Sequence, residues 1–134
     1  MSPDSQITAL FHPETMAVIG ASTTPGKVGN IIMANLQEAG YSGTIYPVNR
    51  KAKEVLGIPA LNDAKELPDN LDLAVIVIPP KFVIPTMETL AEKSVKAVII
   101  ITAGFKEVGK DGYFLEQEII RICSENNIAL LGPN

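Results

Sequence analysis

Residues 16–29, MAVIGASTTPGKVG, decide the fold of this chain. The apolar run 16–19 ends at Gly20 and is typical of a strand that is buried on both faces of a sheet. Apolar residues then recur at helical spacing from Val28 onward, and Gly40 supplies a C-cap. The stretch therefore predicts a buried strand, a glycine-rich loop and an amphipathic helix, in that order.

The same alternation of strands and helices continues to the end of the chain. Further strands are predicted at residues 44–49, 73–78, 97–101 and 129–132. Pro47 has no amide hydrogen to donate, so its strand must lie at an edge of the sheet or carry the proline near its end. Further helices are predicted at residues 82–93 and 112–126, and a short strand followed by one helical turn at 58–67.

Continuously apolar strands that alternate with amphipathic helices are typical of a parallel sheet covered on both faces. The predicted fold class is therefore α/β, with a Rossmann-like doubly wound parallel sheet in a single three-layer domain over residues 1–134. Val28 and Ile31 are expected on the inner face of the first helix, and Ile120 and Cys123 on that of the last. Ligands of such sheets bind beyond the carboxyl ends of the strands, where the strand order reverses.

The composition fits a folded domain and argues against several classes of protein. The chain has 134 residues, 46% of them hydrophobic, which is enough for a core without disulfides. A net charge of −4 argues against nucleic acid or an acidic membrane as a partner. The single cysteine, the lack of a signal-peptide pattern and apolar runs far below the ~20 residues that span a bilayer predict a cytoplasmic protein.

The glycine loop, residues 20–29, departs from two known phosphate-binding patterns. A dinucleotide fingerprint, G-x-G-x-x-G, has one residue between its first two glycines, whereas five residues separate Gly20 from Gly26. A Walker A motif requires a hydroxyl residue where Val28 stands. Gly26 and Gly29 still allow the backbone to approach a phosphate at the start of a helix. A structural turn without a ligand is the alternative interpretation.

A basic segment, Asn49-Arg50-Lys51, follows the second predicted strand, where an NAD-binding domain has an acidic residue. Two cations at this position favour a phosphate on the ribose over a free diol. Both NADP and coenzyme A carry such a phosphate. A solvated basic turn that binds nothing is the alternative.

Two more strand ends reach the same edge of the predicted sheet. Residues 78–81, Ile-Pro-Pro-Lys, offer rigid apolar rings for an adenine or a pantetheine arm, or they only end the strand. Residues 102–104, Thr-Ala-Gly, add a hydroxyl and an open backbone. His12 and Cys123 have no partners at the spacing of a triad or a metal site, so we predict no catalytic residue and no metal.

Together these motifs resemble the CoA-binding domain of NDP-forming acyl-CoA synthetases. That group includes ADP-forming acetate–CoA ligase and is related to the alpha subunit of succinyl-CoA synthetase. The likeness runs in order through residues 10–13, 16–22, 26–29, 45–49, 72–76, 101–105 and 131–134. This chain departs from the family pattern at Arg50, where Pro is usual, and at Pro80, where Ala is usual.

The resemblance implies a domain that holds coenzyme A within an acid–thiol ligase. Such an enzyme reversibly converts an acid, CoA and a nucleoside triphosphate into acyl-CoA, a nucleoside diphosphate and phosphate, through an acyl phosphate and a phosphohistidine. The resemblance places that histidine in a following domain, so His12 does not match it and this chain alone is not catalytic. The residues expected to contact CoA are Gly20, Ser22, Thr23, Thr24, Pro25, Gly26, Lys27, Val28, Gly29, Val48, Asn49, Arg50, Lys51, Ile78, Pro79, Pro80, Lys81, Thr102, Ala103 and Gly104.

Three hypotheses about the whole protein follow. The first is the N-terminal CoA-binding fragment of a larger multidomain ligase, whose partners are the remaining ligase domains or a second subunit. The second is a stand-alone CoA-binding or regulatory module, including the related domain that accompanies protein acetyltransferases. The third is an NADP-binding Rossmann domain. Gene sequence beyond Asn134 separates the first two, and NADPH binding tests the third.

Overall fold

A five-stranded parallel sheet forms the centre of the computed structural model, which describes residues 3–102 and 110–133. The strands are β1 (Thr15–Ile19), β2 (Thr44–Val48), β3 (Glu54–Val55), β4 (Ile58–Pro59), β5 (Leu73–Ile76), β6 (Ala97–Ile100) and β7 (Ala129–Leu131). The helices are α1 (Pro3–Phe11), α2 (Val28–Glu38), α3 (Val83–Glu92) and α4 (Lys110–Glu125). Single 3₁₀ turns lie at Ala64–Glu66 and Pro80–Phe82.

The strand order places a switch point at β1. The sheet runs β2-β1-β5-β6-β7 with every pair parallel, and β3 and β4 form a separate antiparallel hairpin. The chain therefore turns from β1 to one side to make β2 and continues on the other side with β5. A crevice for ligands opens at the carboxyl end of β1 in a sheet of this kind. The predicted doubly wound α/β fold is confirmed.

Successive residues of each strand point to opposite faces of the sheet and pack in two separate apolar layers, as the two-residue period of a strand requires. Ala17 and Ile19 belong to the layer that contains the buried side chains of α3 and α4. Met16 and Val18 belong to the layer that includes Ala9 of α1 and Met33 of α2 together with Val55 of the hairpin. The sheet is thus covered on both faces, which makes the domain three-layered.

Pro47 occupies the position that its missing amide hydrogen requires. β2 is the edge strand next to β1, and the Pro47 carbonyl accepts a hydrogen bond of 2.8 Å from the Leu61 amide. The neighbouring Val48 carbonyl instead accepts from the Gly20 amide at 3.1 Å. Pro47 therefore directs its hydrogen-bonding side away from β1, and the sheet loses no ladder bond there.

The helices of the structure differ from those predicted in their number and in the side chains that they bury. α1 is not predicted by the sequence pattern, although Pro3 near its start is a common first helical residue. Val28, Ile31 and Ile120 are expected inside but are about half exposed, at 49%, 46% and 49%. No helix within the described ranges has the length and apolar character to cross a bilayer.

Asp72, just before β5, connects the amino ends of neighbouring strands. Its carboxylate accepts hydrogen bonds from the Glu14 and Thr15 amides, at 2.8 and 3.4 Å, and lies 3.2 Å from the Lys96 ammonium. Burial opposes ionisation of this group. The Glu14 amide and the Lys96 ammonium outweigh that effect, so the pKa of Asp72 lies below its ordinary value.

Replacing Asp72 with Asn is expected to lower the free energy of unfolding by about 1–2 kcal/mol at neutral pH, because charge-assisted bonds become neutral ones. Since the folded-state pKa is depressed, the carboxylate stabilises fully above an unfolded-state pKa of about 4. This contribution disappears as the pH falls through the folded-state value. Urea unfolding at neutral pH and near pH 3 measures the gap between the two proteins. A gap of constant size would contradict the assignment.

Candidate functional site

A cleft of about 680 Å³ opens at the carboxyl ends of β1, β2 and β5, at the switch point of the sheet. The residues that line it are Ile19, Gly20, Ala21, Ser22, Val48, Asn49, Arg50, Lys51, Asn62, Asp63, Ala64, Lys65, Val77, Ile78, Pro79, Phe82, Pro85, Thr86 and Thr89. Its floor is the apolar end of the sheet, and its walls come from the loops after three strands and from the start of α3. The position is the one that the fold predicts for a ligand.

The glycine loop brings the start of α2 against the end of β1. Gly29 lies so close to the Gly20 carbonyl that a Cβ there would meet the oxygen at 1.9 Å. Gly20 has a φ of +101° and leaves no space for a side chain either, since its Cβ would meet the Val77 carbonyl oxygen at 2.0 Å. Both glycines are therefore needed for close backbone packing. The first turn of α2 is held beside the cleft as a result.

Two side chains fix the path of this loop. The side-chain amide Nδ2 of Asn30 donates to the Ser22 carbonyl at 3.0 Å, and Asn30 is itself buried. The Ser22 hydroxyl accepts a hydrogen bond of 3.0 Å from the Thr24 amide. Ser22 is half-buried, whereas residues 23–28 are exposed. The loop therefore has a fixed base in the cleft and a solvent-facing rim.

Asn49 joins the basic turn after β2 to the glycine loop. Its side-chain amide donates to the Ala21 carbonyl at 2.8 Å, and its Oδ1 accepts from the Lys51 and Ala52 amides, both at 2.9 Å. Asn62 holds the same turn from the other side by donating to the Asn49 and Ala52 carbonyls. Asn49 therefore positions the two predicted phosphate-binding segments relative to each other.

The charge on the cleft wall is positive although the chain as a whole is acidic. Arg50, Lys51 and Lys65 line the cleft and outnumber the carboxylate of Asp63. That carboxylate already accepts a hydrogen bond of 2.9 Å from the Lys65 amide. The Lys81 ammonium lies 5.0 Å from the ring centroid of Phe82 and so adds a further cation next to the cleft. An anionic ligand is the partner that such a surface favours.

The structure gathers part of the predicted contact set in this cleft. Its lining includes eight of the predicted residues: Gly20, Ser22, Val48, Asn49, Arg50, Lys51, Ile78 and Pro79. The residues of the exposed rim are Thr23, Thr24, Pro25, Gly26, Lys27 and Val28. Gly29 is buried behind the loop, while Pro80 and Lys81 lie in the 3₁₀ turn before α3.

The Thr-Ala-Gly segment is only partly described. The Thr102 hydroxyl donates to the Ile78 carbonyl at 2.6 Å and accepts from the Ile78 amide at 3.2 Å, so it braces the loop after β5. Thr102 is buried, at 6% exposure. Ala103 and Gly104 lie outside the described residues. Thr102 is therefore placed to support the cleft wall from behind.

Sequence reasoning missed several residues of the cleft wall. Lys65 and its neighbours reach the cleft because Leu61, which precedes the 3₁₀ turn Ala64–Glu66, bridges to Val48 of β2. The sequence pattern marks Phe82 only as the start of a helix. Thr86 and Thr89 line the cleft from α3. Their spacing of three residues places both on one face of the helix, and this spacing could have indicated a polar face toward the cleft.

The groups that line this cleft are suited to binding an anionic ligand. The described residues that line the cleft include cations, amides, hydroxyls and an aromatic ring, but no His or Cys. Cys123 is buried in the core, and desolvation raises the pKa of its thiol to about 11, which makes it unreactive. His12 lines a separate pocket of about 360 Å³ with Asp72 and Lys96, at the amino ends of the strands.

Comparison with known proteins gives concordant matches. The model of a family described as a CoA-binding domain matches residues 14–134. The chain is 46% identical over 125 residues to an ADP-forming acetate–CoA ligase of Archaeoglobus fulgidus, covering 93% of the chain and 18% of the ligase. It is 45% identical over 130 residues to the alpha subunit of an ADP-forming acetate–CoA ligase of Pyrococcus furiosus, covering 94% of the chain and 28% of the subunit.

A solved structure shows the same fold. It is an acetyl-coenzyme A synthetase of Ca. Korarchaeum cryptofilum in complex with phosphate and ADP, with a TM-score of 0.88 and 37% identity. The match covers 97% of this chain and 28% of that one, so the chain spans only part of the length of its relatives. From the family match, the two ligase relatives and this structure, the chain belongs to the CoA-binding domain family and is homologous to the corresponding part of ADP-forming acyl-CoA ligases.

Proposed function

We propose that this chain binds coenzyme A in the cleft at the switch point and serves as the CoA-binding domain of a larger ADP-forming acyl-CoA ligase. The observation that carries the proposal is the placement of the cationic Arg50-Lys51 turn beside the glycine loop, in a chain of the CoA-binding family. CoA carries a diphosphate and a ribose 3′-phosphate, so it needs two anion-binding segments. This cleft offers both.

Each part of CoA has a counterpart among the described residues. The start of α2, where Val28 is exposed, suits the diphosphate, because backbone N–H groups at a helix N-terminus and the helix dipole favour an anion. Lys51 suits the 3′-phosphate. The apolar loop that contains Ile78 and Pro79 suits the pantetheine arm, which then runs toward the reacting centre.

The rest of the ligase supplies the chemistry in this proposal. A cytoplasmic ligase of this type makes acyl-CoA, a nucleoside diphosphate and phosphate from an acid, CoA and a nucleoside triphosphate. The acyl phosphate and the phosphohistidine form on other domains or on a second subunit, and those parts choose the acid. The present chain holds CoA and presents its thiol.

Calorimetric titration with CoA and with dephospho-CoA tests the proposal. Wild-type chain is expected to bind CoA more tightly, because dephospho-CoA lacks the 3′-phosphate. Replacing Arg50 and Lys51 together with Ala should lower the affinity for CoA by about 10–100-fold, because one or two charge-assisted contacts are lost. The same change should weaken the binding of dephospho-CoA by a smaller factor, because this ligand lacks the 3′-phosphate and so loses only the contacts to the rest of the nucleotide.

A double substitution of Lys93 and Arg121 with Ala provides the matched control. It removes one Lys and one Arg far from the cleft and changes the net charge equally. Its effect on CoA should be small, since the ion pairs of Arg121 with Glu118 and Glu125 are exposed. Equal affinity of wild-type chain for CoA and dephospho-CoA would contradict the 3′-phosphate site.

NADP is the second candidate ligand, because the basic turn also suits a ribose 2′-phosphate. Displacement of CoA by NADPH at comparable concentration would favour this ligand. NADPH titration without any change in its fluorescence would count against it. The family match favours CoA.

A further inference from the structure

Phe82 is an exposed aromatic residue on the cleft wall. It ends the 3₁₀ turn Pro80–Phe82 after β5, lines the cleft and is 41% exposed. Its neighbour Val83 is fully buried in the core at the start of α3, so the backbone that carries the ring is fixed. The Lys81 ammonium lies 5.0 Å from the ring centroid, and the ring is otherwise partly exposed on a concave, positively charged surface. An aromatic ring in this position is a suitable partner for the flat face of a ligand.

A guanidinium reaches this ring from the opposite side of the cleft. The Cζ of Arg50 lies over the Phe82 ring, 6.0 Å from its centroid. Arg50 follows β2 and Phe82 follows β5, and these strands flank β1 on either side. Strands two positions apart are separated by about 10 Å, so the two side chains span the cleft above the end of β1.

The separation of the two planar groups is close to that of a slot for a flat ring. A planar base that contacts a ring on one face and a guanidinium on the other needs about 7 Å between them, which is two contacts of about 3.5 Å. The present distance of 6.0 Å is about 1 Å shorter. Arg50 is exposed, so a small rotation of its side chain opens the slot.

We propose that Phe82 and Arg50 form a two-sided slot for the purine base of the ligand, which leaves Lys51 as the partner of the ribose phosphate. This inference rests on the proposed CoA function and refines it. Arginine suits the task because its planar guanidinium stacks on aromatic faces, whereas a lysine ammonium is a point charge. The two adjacent cations therefore have different roles, one for the base and one for the phosphate.

Four single variants and three ligands test this division of roles. The variants are Phe82→Leu, Arg50→Lys, Lys51→Ala and the matched control Phe114→Leu, which changes an exposed Phe on α4. The ligands are CoA, dephospho-CoA and 4′-phosphopantetheine. Phe82→Leu should lower the affinities for CoA and dephospho-CoA by the same factor of about 10, as expected for the loss of base stacking, and leave the affinity for 4′-phosphopantetheine unchanged. Arg50→Lys should lower the affinities for CoA and dephospho-CoA by about 5-fold and also leave that for 4′-phosphopantetheine unchanged.

Lys51→Ala should lower the affinity for CoA alone, and Phe114→Leu should leave the affinities for all three ligands unchanged. The fluorescent analogue 1,N6-etheno-CoA adds a direct readout in this chain, which contains no Trp. Its emission should fall on binding to wild-type chain, because its base stacks on Phe82, and should recover in the complex with Phe82→Leu.

Three results would overturn the slot while leaving the CoA function intact. They are CoA binding that Phe82→Leu does not weaken, an equal loss for 4′-phosphopantetheine, and a loss in Arg50→Lys confined to CoA. The last would make Arg50 a phosphate ligand. Failure of the wild-type chain to bind CoA at all would overturn the proposed function and the slot with it.

Discussion

Gly29→Ala is expected to lower the free energy of unfolding by about 3–5 kcal/mol, the range of the most damaging single substitutions. Helix propensity alone predicts the opposite sign, since Ala stabilises a helix interior by about 1 kcal/mol relative to Gly. The added Cβ would lie 1.9 Å from the Gly20 carbonyl oxygen, which is backbone and cannot rotate away. Either α2 or the end of β1 must shift.

Chemical unfolding of Gly29→Ala beside Gly26→Ala measures this effect with its control. Gly26 has a φ of +90°, and a Cβ on this residue would meet no atom within 4 Å, so its replacement carries only backbone strain of about 1–2 kcal/mol. Gly29→Ala should therefore be the more damaging of the two. An increase in stability for Gly29→Ala would show that α2 does not pack this closely on β1.

The same substitution links packing to ligand binding. The close approach at Gly29 holds the first turn of α2 against the strand end that forms the cleft floor. A shift of α2 would carry the amides proposed for the diphosphate away from the basic turn. We therefore attribute the glycine at this position to helix placement, whereas Gly26 serves the path of the loop.

The strands of the central sheet were predictable because most of them are almost continuous apolar runs, whereas the hairpin strand β3 was not predicted. Residues 73–76 are buried at every position, as expected for a strand covered on both faces of a parallel sheet. The placement of Pro47 at an edge followed from its missing amide hydrogen. The position of the cleft at the strand ends then followed from the general rule for parallel sheets, whereas the strand order was not predicted.

Features that depend on contacts between distant segments were not predictable in the same way. Ile31 and Ile120 have the spacing of an inner stripe, yet the faces that α2 and α4 bury are set by Asn30, Met33 and Ile119. The approach of Arg50 to Phe82 joins residues that are far apart in sequence. Local periodicity contains no information about such pairs.

Asn49→Asp is expected to lower both the free energy of unfolding, by about 2–3 kcal/mol, and the affinity for CoA, by about 10-fold or more. The substitution preserves Oδ1, which accepts from the Lys51 and Ala52 amides at 2.9 Å. It replaces the amide nitrogen that donates to the Ala21 carbonyl at 2.8 Å with an oxygen that repels it. The basic turn keeps its shape but loses its attachment to the glycine loop.

The pattern of ligand affinities distinguishes positioning from direct contact. If Asn49 aligns the two segments, Asn49→Asp should weaken CoA and dephospho-CoA together, because the diphosphate site moves relative to the rest of the cleft. A residue that only contacts the 3′-phosphate would affect CoA alone, and that result would contradict the positioning role. Asn35→Asp, an equal charge change at an exposed position of α2, is the control and should leave both affinities unchanged. A loss of equal size in Asn35→Asp would assign the effect to net charge rather than to the bond with Ala21.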